Sequence, residues 1–405
     1  MDETSKKWIH QEEAISIFLE KKHGILEMAT GSGKTYTSIQ IMKKLLEAKK
    51  IEKIIIIIYG NDLLYQWYYS LLKEMHNIKI FRHFDKYREI NKFVLVKGQS
   101  ILLLTRDADR IRECLIELEK RRDSDKTKKN TMLIFDEIHG LGSPKLRDTL
   151  KGYLQGYTYR LGLSATPERD YDEEGNIFIK DEIGEVIYKF DLEEAIKRGI
   201  LCPFTYVPVF YNLTDEERAQ KKKIIAAYEI KRKKGITFDE SDMYRDLSRV
   251  NKTASEKIPL FEKVLVQKPE LLQNSIIFVE TREYGIALQK MLVRYISRFH
   301  TYYGEDGKEN LKKFCDGNMD CLITCKKISE GIDIHAVKNI ILFSSDKGKI
   351  VTIQRIGRSL RKNINEPSKE ACIVDFIYGD PDCEDVTTDR ERMEWLSKLA
   401  RVRSK

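Results

Sequence analysis

The residues best suited to chemistry fall in two short segments, Met28-Ala-Thr-Gly-Ser-Gly-Lys-Thr35 and Asp136-Glu-Ile-His139, each at the end of an apolar run. In the first, Thr30, Gly31, Ser32 and Gly33 form a loop whose backbone N–H groups can turn toward phosphate oxygens. Lys34 would meet the terminal phosphates and Thr35 a Mg²⁺ ion. Met28 stands where the strict pattern has glycine, but Gly31 and Gly33 keep the backbone freedom the turn requires. The second segment offers one carboxylate, Asp136, to the metal and another, Glu137, to a water. In this order, at strand ends, the two segments read as a site that hydrolyses a nucleoside triphosphate. The plainer alternative is a glycine-rich turn with an incidental lysine, and the acidic strand tip argues against it.

A third group lies far along the chain. Gln354-Arg-Ile-Gly-Arg-Ser-Leu-Arg361 spaces Arg355, Arg358 and Arg361 three residues apart, on one face of a helix. Guanidinium groups so placed repel one another unless carboxylates or an anion meet them. A surface salt-bridge ladder would suffice. With a phosphate loop elsewhere, a triphosphate at a domain interface is the better match, because arginines stabilise charge on a transferring phosphoryl group.

Alternating strands and helices must position these groups. Strand-like runs fall at 25–28, 54–59, 101–105, 132–135 and 159–164, with amphipathic helices expected over 35–50, 63–75, 106–122 and 145–155. That alternation predicts an α/β fold with a parallel sheet covered by helices, whose ligands bind at the carboxyl ends of the strands. The stretch 213–268 is helical in pattern and carries Lys221-Lys-Lys223 and Lys231-Arg-Lys-Lys234. A solvated helix face accounts for these runs as well as nucleic-acid contact does. A second alternating block follows, with strands at 275–280, 299–303, 321–324, 339–344 and 371–376 and helices at 283–297 and 308–315. The expected domains are 1–200 with the phosphate loop, a helical connector 201–270, a second α/β domain 271–385 and a C-terminal helix 386–405.

Bulk properties agree with a multidomain chain outside the membrane. The 405 residues exceed one core, and no apolar run approaches the ~20 residues that cross a bilayer. The polar N-terminus has no signal-peptide pattern. A net charge of +8 suits a polyanionic partner without requiring one. Seven cysteines, an odd and sparse set, point to a reducing compartment, cytoplasm or nucleus. Cys315, Cys321 and Cys325 fit no common zinc spacing and read as buried thiols.

Taken together, the motifs resemble those of the superfamily 2 helicases and translocases, two RecA-like domains in tandem with ATP between them. The resemblance implies ATP and Mg²⁺ as cofactors and assigns roles residue by residue. Gln11 matches the glutamine that reads adenine, although Trp8 and His10 stand where Arg and Tyr are common. Gln66-Trp67 matches the segment after the second strand, and Ser164-Ala-Thr166 the motif linking hydrolysis to nucleic-acid binding. Ser329-Glu-Gly-Ile-Asp333 matches the motif that contacts ribose and the strand, with Asp333 near the ribose. Gln354 to Arg361 matches the arginine-finger motif: Arg358 and Arg361 would reach the γ-phosphate and Arg355 would organise the interface. Asp136 would hold Mg²⁺, Glu137 would orient the attacking water, and His139 would couple the site to the second domain. Thr105, Arg106, Thr281 and Arg282, just after strands, are candidates for nucleic-acid backbone contacts, with a structural role in loops equally open.

Arg160-Leu-Gly-Leu-Ser-Ala-Thr-Pro-Glu-Arg169 and the Asp-Glu-Ile-His form look like those of DNA-acting members, including DNA-repair helicases and restriction-enzyme motors. The likeness favours DNA over RNA and implies protein partners such as a nuclease or repair complex. An RNA helicase, a duplex translocase that does not unwind, and an ATP-gated switch that senses nucleic acid stay open.

Overall fold

Lys53-Ile-Ile-Ile-Ile-Ile58 is buried at every position, as befits a β-branched strand inside a sheet covered on both faces. The computed structural model describes residues 8–120, 124–169, 172–303, 306–307, 309–325, 337–344, 349–362, 368–380 and 387–403. The chain divides into two compact units, the first running to Leu201 and the second starting at Cys202.

The first unit contains a seven-stranded sheet. Its strands are β1 (His23–Met28), β2 (Lys53–Ile58), β3 (Lys79–His83), β4 (Ser100–Thr105), β5 (Thr131–Asp136), β6 (Tyr159–Ser164) and β7 (Val186–Phe190). All pair in parallel, in the order β3-β4-β2-β5-β6-β1-β7. The carboxyl ends of β5, β6 and β1 therefore lie side by side. One core cluster packs Ile57, Leu104 and Phe135 against Ile111 and Leu115 of the helix Ala108–Glu119.

A six-stranded parallel sheet organises the second unit: β8 (Phe204–Tyr211), β9 (Ser275–Phe278), β10 (Phe299–Tyr302), β11 (Cys321–Thr324), β12 (Asn339–Leu342) and β13 (Ala371–Tyr378). Its order is β10-β11-β9-β12-β13-β8. Phe343 stacks on Phe376 at 4.5 Å between ring centres, with Phe261 edge-on to Phe343 at 5.3 Å. Asp375 is buried in β13 and satisfied by Arg392, at 2.8 and 3.1 Å, and by the Tyr206 hydroxyl at 3.0 Å.

Three strands escape the sequence reading: β3, β7 and β8, each at a sheet edge. Residues 204–211, which open the expected helical connector, form β8 in register with β13, and Pro208 sits where an edge strand tolerates a missing donor. The helices Asp215–Lys233, Glu240–Lys252 and Lys257–Gln267 follow. Helix boundaries also shift. The helix expected over 106–122 begins at Ala108, because the Asp107 carboxylate caps it by accepting from the Arg110 N–H at 3.1 Å. The helix expected over 283–297 is Arg282–Leu292, with Thr281 as its cap.

Candidate active site

The loop after β1 has the backbone its glycines allow. Gly31 and Gly33 take φ of +86° and +93°, in the left-handed region. A Cβ on Gly33 would lie 2.2 Å from Gln11 Nε2. The buried Ser32 hydroxyl donates to Ala29 O at 2.7 Å, and Lys34 Nζ donates to Met28 O at 3.1 Å, which keeps the ammonium over the loop. The helix Lys34–Glu47 starts without a side-chain cap, an N-terminus of the kind that receives anions. His10 and Gln11 both approach Ser32 O, at 2.9 and 3.0 Å, and His10 stacks on Phe190 at 4.0 Å. His10 and Gln11 thus support the loop from behind.

The acidic segment leaves β5 in a tight turn. Glu137 adopts φ +49° and ψ +60°, a left-handed conformation that costs a non-glycine residue energy. Asp136 is buried, and donors fix both its oxygens: Trp67 Nε1 on Oδ2 at 2.8 Å and the Glu137 N–H on Oδ1 at 2.9 Å. Arg106 Nη1 donates to Glu137 O and Arg169 Nη1 to His139 O, each at 2.7 Å. His139 Nδ1 lies 3.6 Å from Glu137 Oε2 and 3.5 Å from Ser164 Oγ. Ser164 Oγ accepts from the Thr166 N–H at 3.0 Å, and the buried Thr166 hydroxyl has no partner among the described residues. The fold thus joins the acidic segment to the Ser164–Thr166 segment through His139, although 25 residues separate His139 from Ser164.

In the second unit, Gln354, Arg355 and Arg358 lie on the helix Lys349–Ser359, and Arg361 follows it. Arg355 is buried, donates to Ser344 O and covers the Phe278 ring at 4.6 Å, which makes it an organiser within its own unit. Burial lowers the pKa of Arg361 below the usual arginine value. Asp333, with the rest of 329–332, lies outside the described residues, as does the Arg358 side chain. The Thr281 hydroxyl is engaged as a cap, accepting from the Tyr284 N–H at 3.2 Å, while Arg282 is exposed at the first helical position. Thr105 ends β4, half-buried.

The sequence reading named Trp67 but assigned it no chemistry, and it overlooked Gly140. Only the sheet order shows that the helix after β2 reaches the tip of β5. A separate cavity of about 320 Å³ in the second unit is lined by Tyr211, Tyr244, Tyr378, Lys221 and Lys257 and contains none of the anticipated residues.

Among the described residues no cluster of three or more His, Cys, Asp or Glu side chains could hold a metal. Asp136 alone, oriented by two donors, suits an ion such as Mg²⁺ that keeps its waters and takes one or two carboxylates with substrate phosphates. No helix among the described residues is long and apolar enough to cross a membrane.

A phosphate loop after β1 and an acidic tip on β5, two parallel strands with β6 between them, define a P-loop type nucleotide-binding unit, followed here by a second parallel-sheet unit. Residues 6–169 match the family described as "Type III restriction enzyme, res subunit", and residues 256–363 match "Helicase conserved C-terminal domain". The chain belongs to the superfamily 2 helicases and translocases, with tandem RecA-like domains, ATP as substrate and nucleic-acid-dependent ATPase activity. It is 27% identical over 391 residues to the DNA 3'-5' translocase XPB2 of Sulfurisphaera tokodaii, covering 91% of this chain and 80% of that protein. Two solved structures share the fold. The DNA-bound ATP-dependent Type ISP restriction-modification enzyme LlaBIII matches with a TM-score of 0.62 at 17% identity; the match covers 100% of this chain, which spans only 30% of that enzyme. The Pyrococcus furiosus Hef helicase domain matches with a TM-score of 0.57 at 15% identity, covering 96% of this chain and 98% of that one.

Proposed function

We propose that this chain is an ATP-driven motor that moves on or unwinds DNA. The observation that carries the reading is the acidic turn after β5: a buried carboxylate held by two donors, a strained glutamate beside it, and His139 bridging to Ser164. DNA is favoured over RNA because a relative 27% identical over 391 residues is named as a DNA translocase.

Lys34 and the uncapped N–H groups behind Gly33 bind the phosphates, and Gln11 supports the loop beside the adenine. Mg²⁺ would be held by Thr35 and Asp136, where it neutralises charge on the phosphates. Glu137 orients the attacking water. His139 passes the state of Glu137 to Ser164 and Thr166. Arg358 and Arg361, steadied by Arg355 and Gln354, supply positive charge to the γ-phosphate from residues 271–385, while 1–200 hold the nucleotide. Asp333 meets the ribose. Thr105, Thr281 and Arg282 face sugar–phosphate, which makes binding tolerant of sequence and sensitive to salt. A nuclease or repair complex would make use of such motion.

The test compares ATP hydrolysis with single-stranded DNA, duplex DNA, forked DNA and RNA, together with strand displacement on the fork. Strong stimulation by DNA and little by RNA supports the reading. Equal or greater stimulation by RNA would move the substrate to RNA, and stimulation without displacement or movement would favour an ATP-gated switch.

A further inference from the structure

β4 stops at Thr105 and the next helix starts at Ala108, so Arg106 sits in a two-residue turn that the Asp107 cap keeps out of the helix. Its backbone N–H donates to Ile58 O at 2.7 Å, which fixes where its side chain sets out. The side chain crosses β2 to the tip of β5, where Nη1 donates to Glu137 O at 2.7 Å. The guanidinium fills the space beside Gly140, where an added Cβ would lie 2.1 Å from its central carbon. On its outer side stands Tyr59, 61% exposed, with its ring centre 5.3 Å from that carbon. A side chain wedged in this way is aimed into the protein.

We infer that Arg106 is a positioning residue for hydrolysis and not a contact to nucleic acid: its guanidinium holds the backbone of Glu137, and residue 140 is glycine to make room for it. The inference rests on the reading of Glu137 as the residue that orients the attacking water. Glu137 has a positive φ that only glycine adopts readily, so its turn needs ties from outside. Arg106 on the carbonyl of residue 137 is one such tie; Arg169 on the carbonyl of residue 139 is another, itself held by the Asp172 carboxylate at 2.6 Å. The Gly140 N–H also donates to Glu137 O, at 3.0 Å, but it belongs to the same turn; without the Arg106 tie the turn can relax toward a commoner conformation and carry the carboxylate with it. Tyr59 lies on solvent's side of the guanidinium, so a polynucleotide that stacked on this ring would press on Arg106 and, through it, on Glu137.

Gly140 provides a test that leaves the charge of Arg106 in place. In Gly140→Ala the three atoms nearest the added Cβ are all at the flexible end of Arg106, so the cheap response is to expel that head group while the fold is kept. Gly140→Ala and Arg106→Leu are measured singly and together in the full chain, with Glu137→Gln and Arg106→Lys alongside. The readouts are kcat and KM for ATP at saturating DNA, affinity for a labelled oligonucleotide, and thermal unfolding. A displaced catalytic group costs about 10²-fold, so Gly140→Ala and Arg106→Leu should each lower kcat by that order with KM and DNA affinity unchanged. The double variant should be no slower than either single one, because both remove the same tie. Arg106→Lys, which keeps one charged donor, should recover part of the rate. Parent kcat in a folded Gly140→Ala overturns the inference. Weakened DNA binding with normal kcat at saturation in Arg106→Leu also overturns it, and makes Arg106 a direct contact. Parent-rate turnover by Glu137→Gln would overturn the reading of Glu137 and this inference with it. An inactive Glu137→Gln beside a fully active Gly140→Ala would overturn the inference alone.

Discussion

Replacing Trp67 with phenylalanine separates the orientation of Asp136 from its charge. The indole is 1% exposed, and its N–H donates to Asp136 Oδ2 at 2.8 Å. Phenylalanine keeps most of the apolar body and loses that donor. A hydrogen bond to a charged group contributes about 1.5–3 kcal/mol. The smaller ring leaves roughly 40 Å³, which at about 24 cal/mol per Å³ adds about 1 kcal/mol. The expected loss of stability is therefore about 2.5–4 kcal/mol, read from urea unfolding by far-UV circular dichroism. The assay is a double-mutant cycle with Asp136→Ala, which cancels the cavity contribution and should leave a coupling of about 1.5–3 kcal/mol. Function should follow: among the described residues the Glu137 N–H is then the one donor left to orient Asp136, so the Mg²⁺ concentration for half-maximal hydrolysis should rise. A coupling below about 0.5 kcal/mol, with unchanged Mg²⁺ dependence, would refute the reasoning.

Other expectations follow from single side chains. Glu137→Gln should bind ATP and DNA but hydrolyse at least about 10²-fold more slowly in a single turnover, and near-parent turnover would remove Glu137 from that role. Arg358→Ala should retain DNA binding and lose stimulated kcat by about 10³-fold, with folding checked by melting; a loss of only a few-fold would mean that the γ-phosphate is met elsewhere. Lys257 is wholly buried, and desolvation lowers its pKa to about 7, against the raising influence of Asp389 and Asp375. An unfolded lysine holds its proton to about pH 10.4, so across the window between these values the unfolded state binds more protons and folded stability rises with pH. The rise approaches about 1.4 kcal/mol per pH unit, and Lys257→Met should lack it; parallel stability curves for parent and variant between about pH 7.5 and 9.5 would contradict the assignment.

Legibility in the sequence follows locality. β2 and β5 show as unbroken apolar runs, because a strand covered on both faces needs no polar alternation. The phosphate loop shows because its glycines and lysine are contiguous. The missed strands β3, β7 and β8 are edges: Lys79 and Arg82 interrupt β3, Lys189 interrupts β7, and Pro208 interrupts β8. Strand order is non-local, so nothing in chain order says that β6 lies between β5 and β1, or that Trp67 meets Asp136 across 69 residues. One missed feature had a local signal. Asp107 before the periodic run 108–119 is a helix N-cap, and reading it would have placed Arg106 in a turn and not in the helix.

The measurement that bears most directly on an ATP-driven DNA motor is steady-state ATP hydrolysis, with and without DNA, in the parent and in Lys34→Ala. Lys34 is held over the loop by Met28 O at 3.1 Å, and its removal deletes the cation closest to the expected phosphates. DNA should strongly accelerate the parent, and Lys34→Ala should show almost no hydrolysis while still folding and binding DNA. Hydrolysis in Lys34→Ala at the parent rate, or a parent indifferent to DNA, would contradict it.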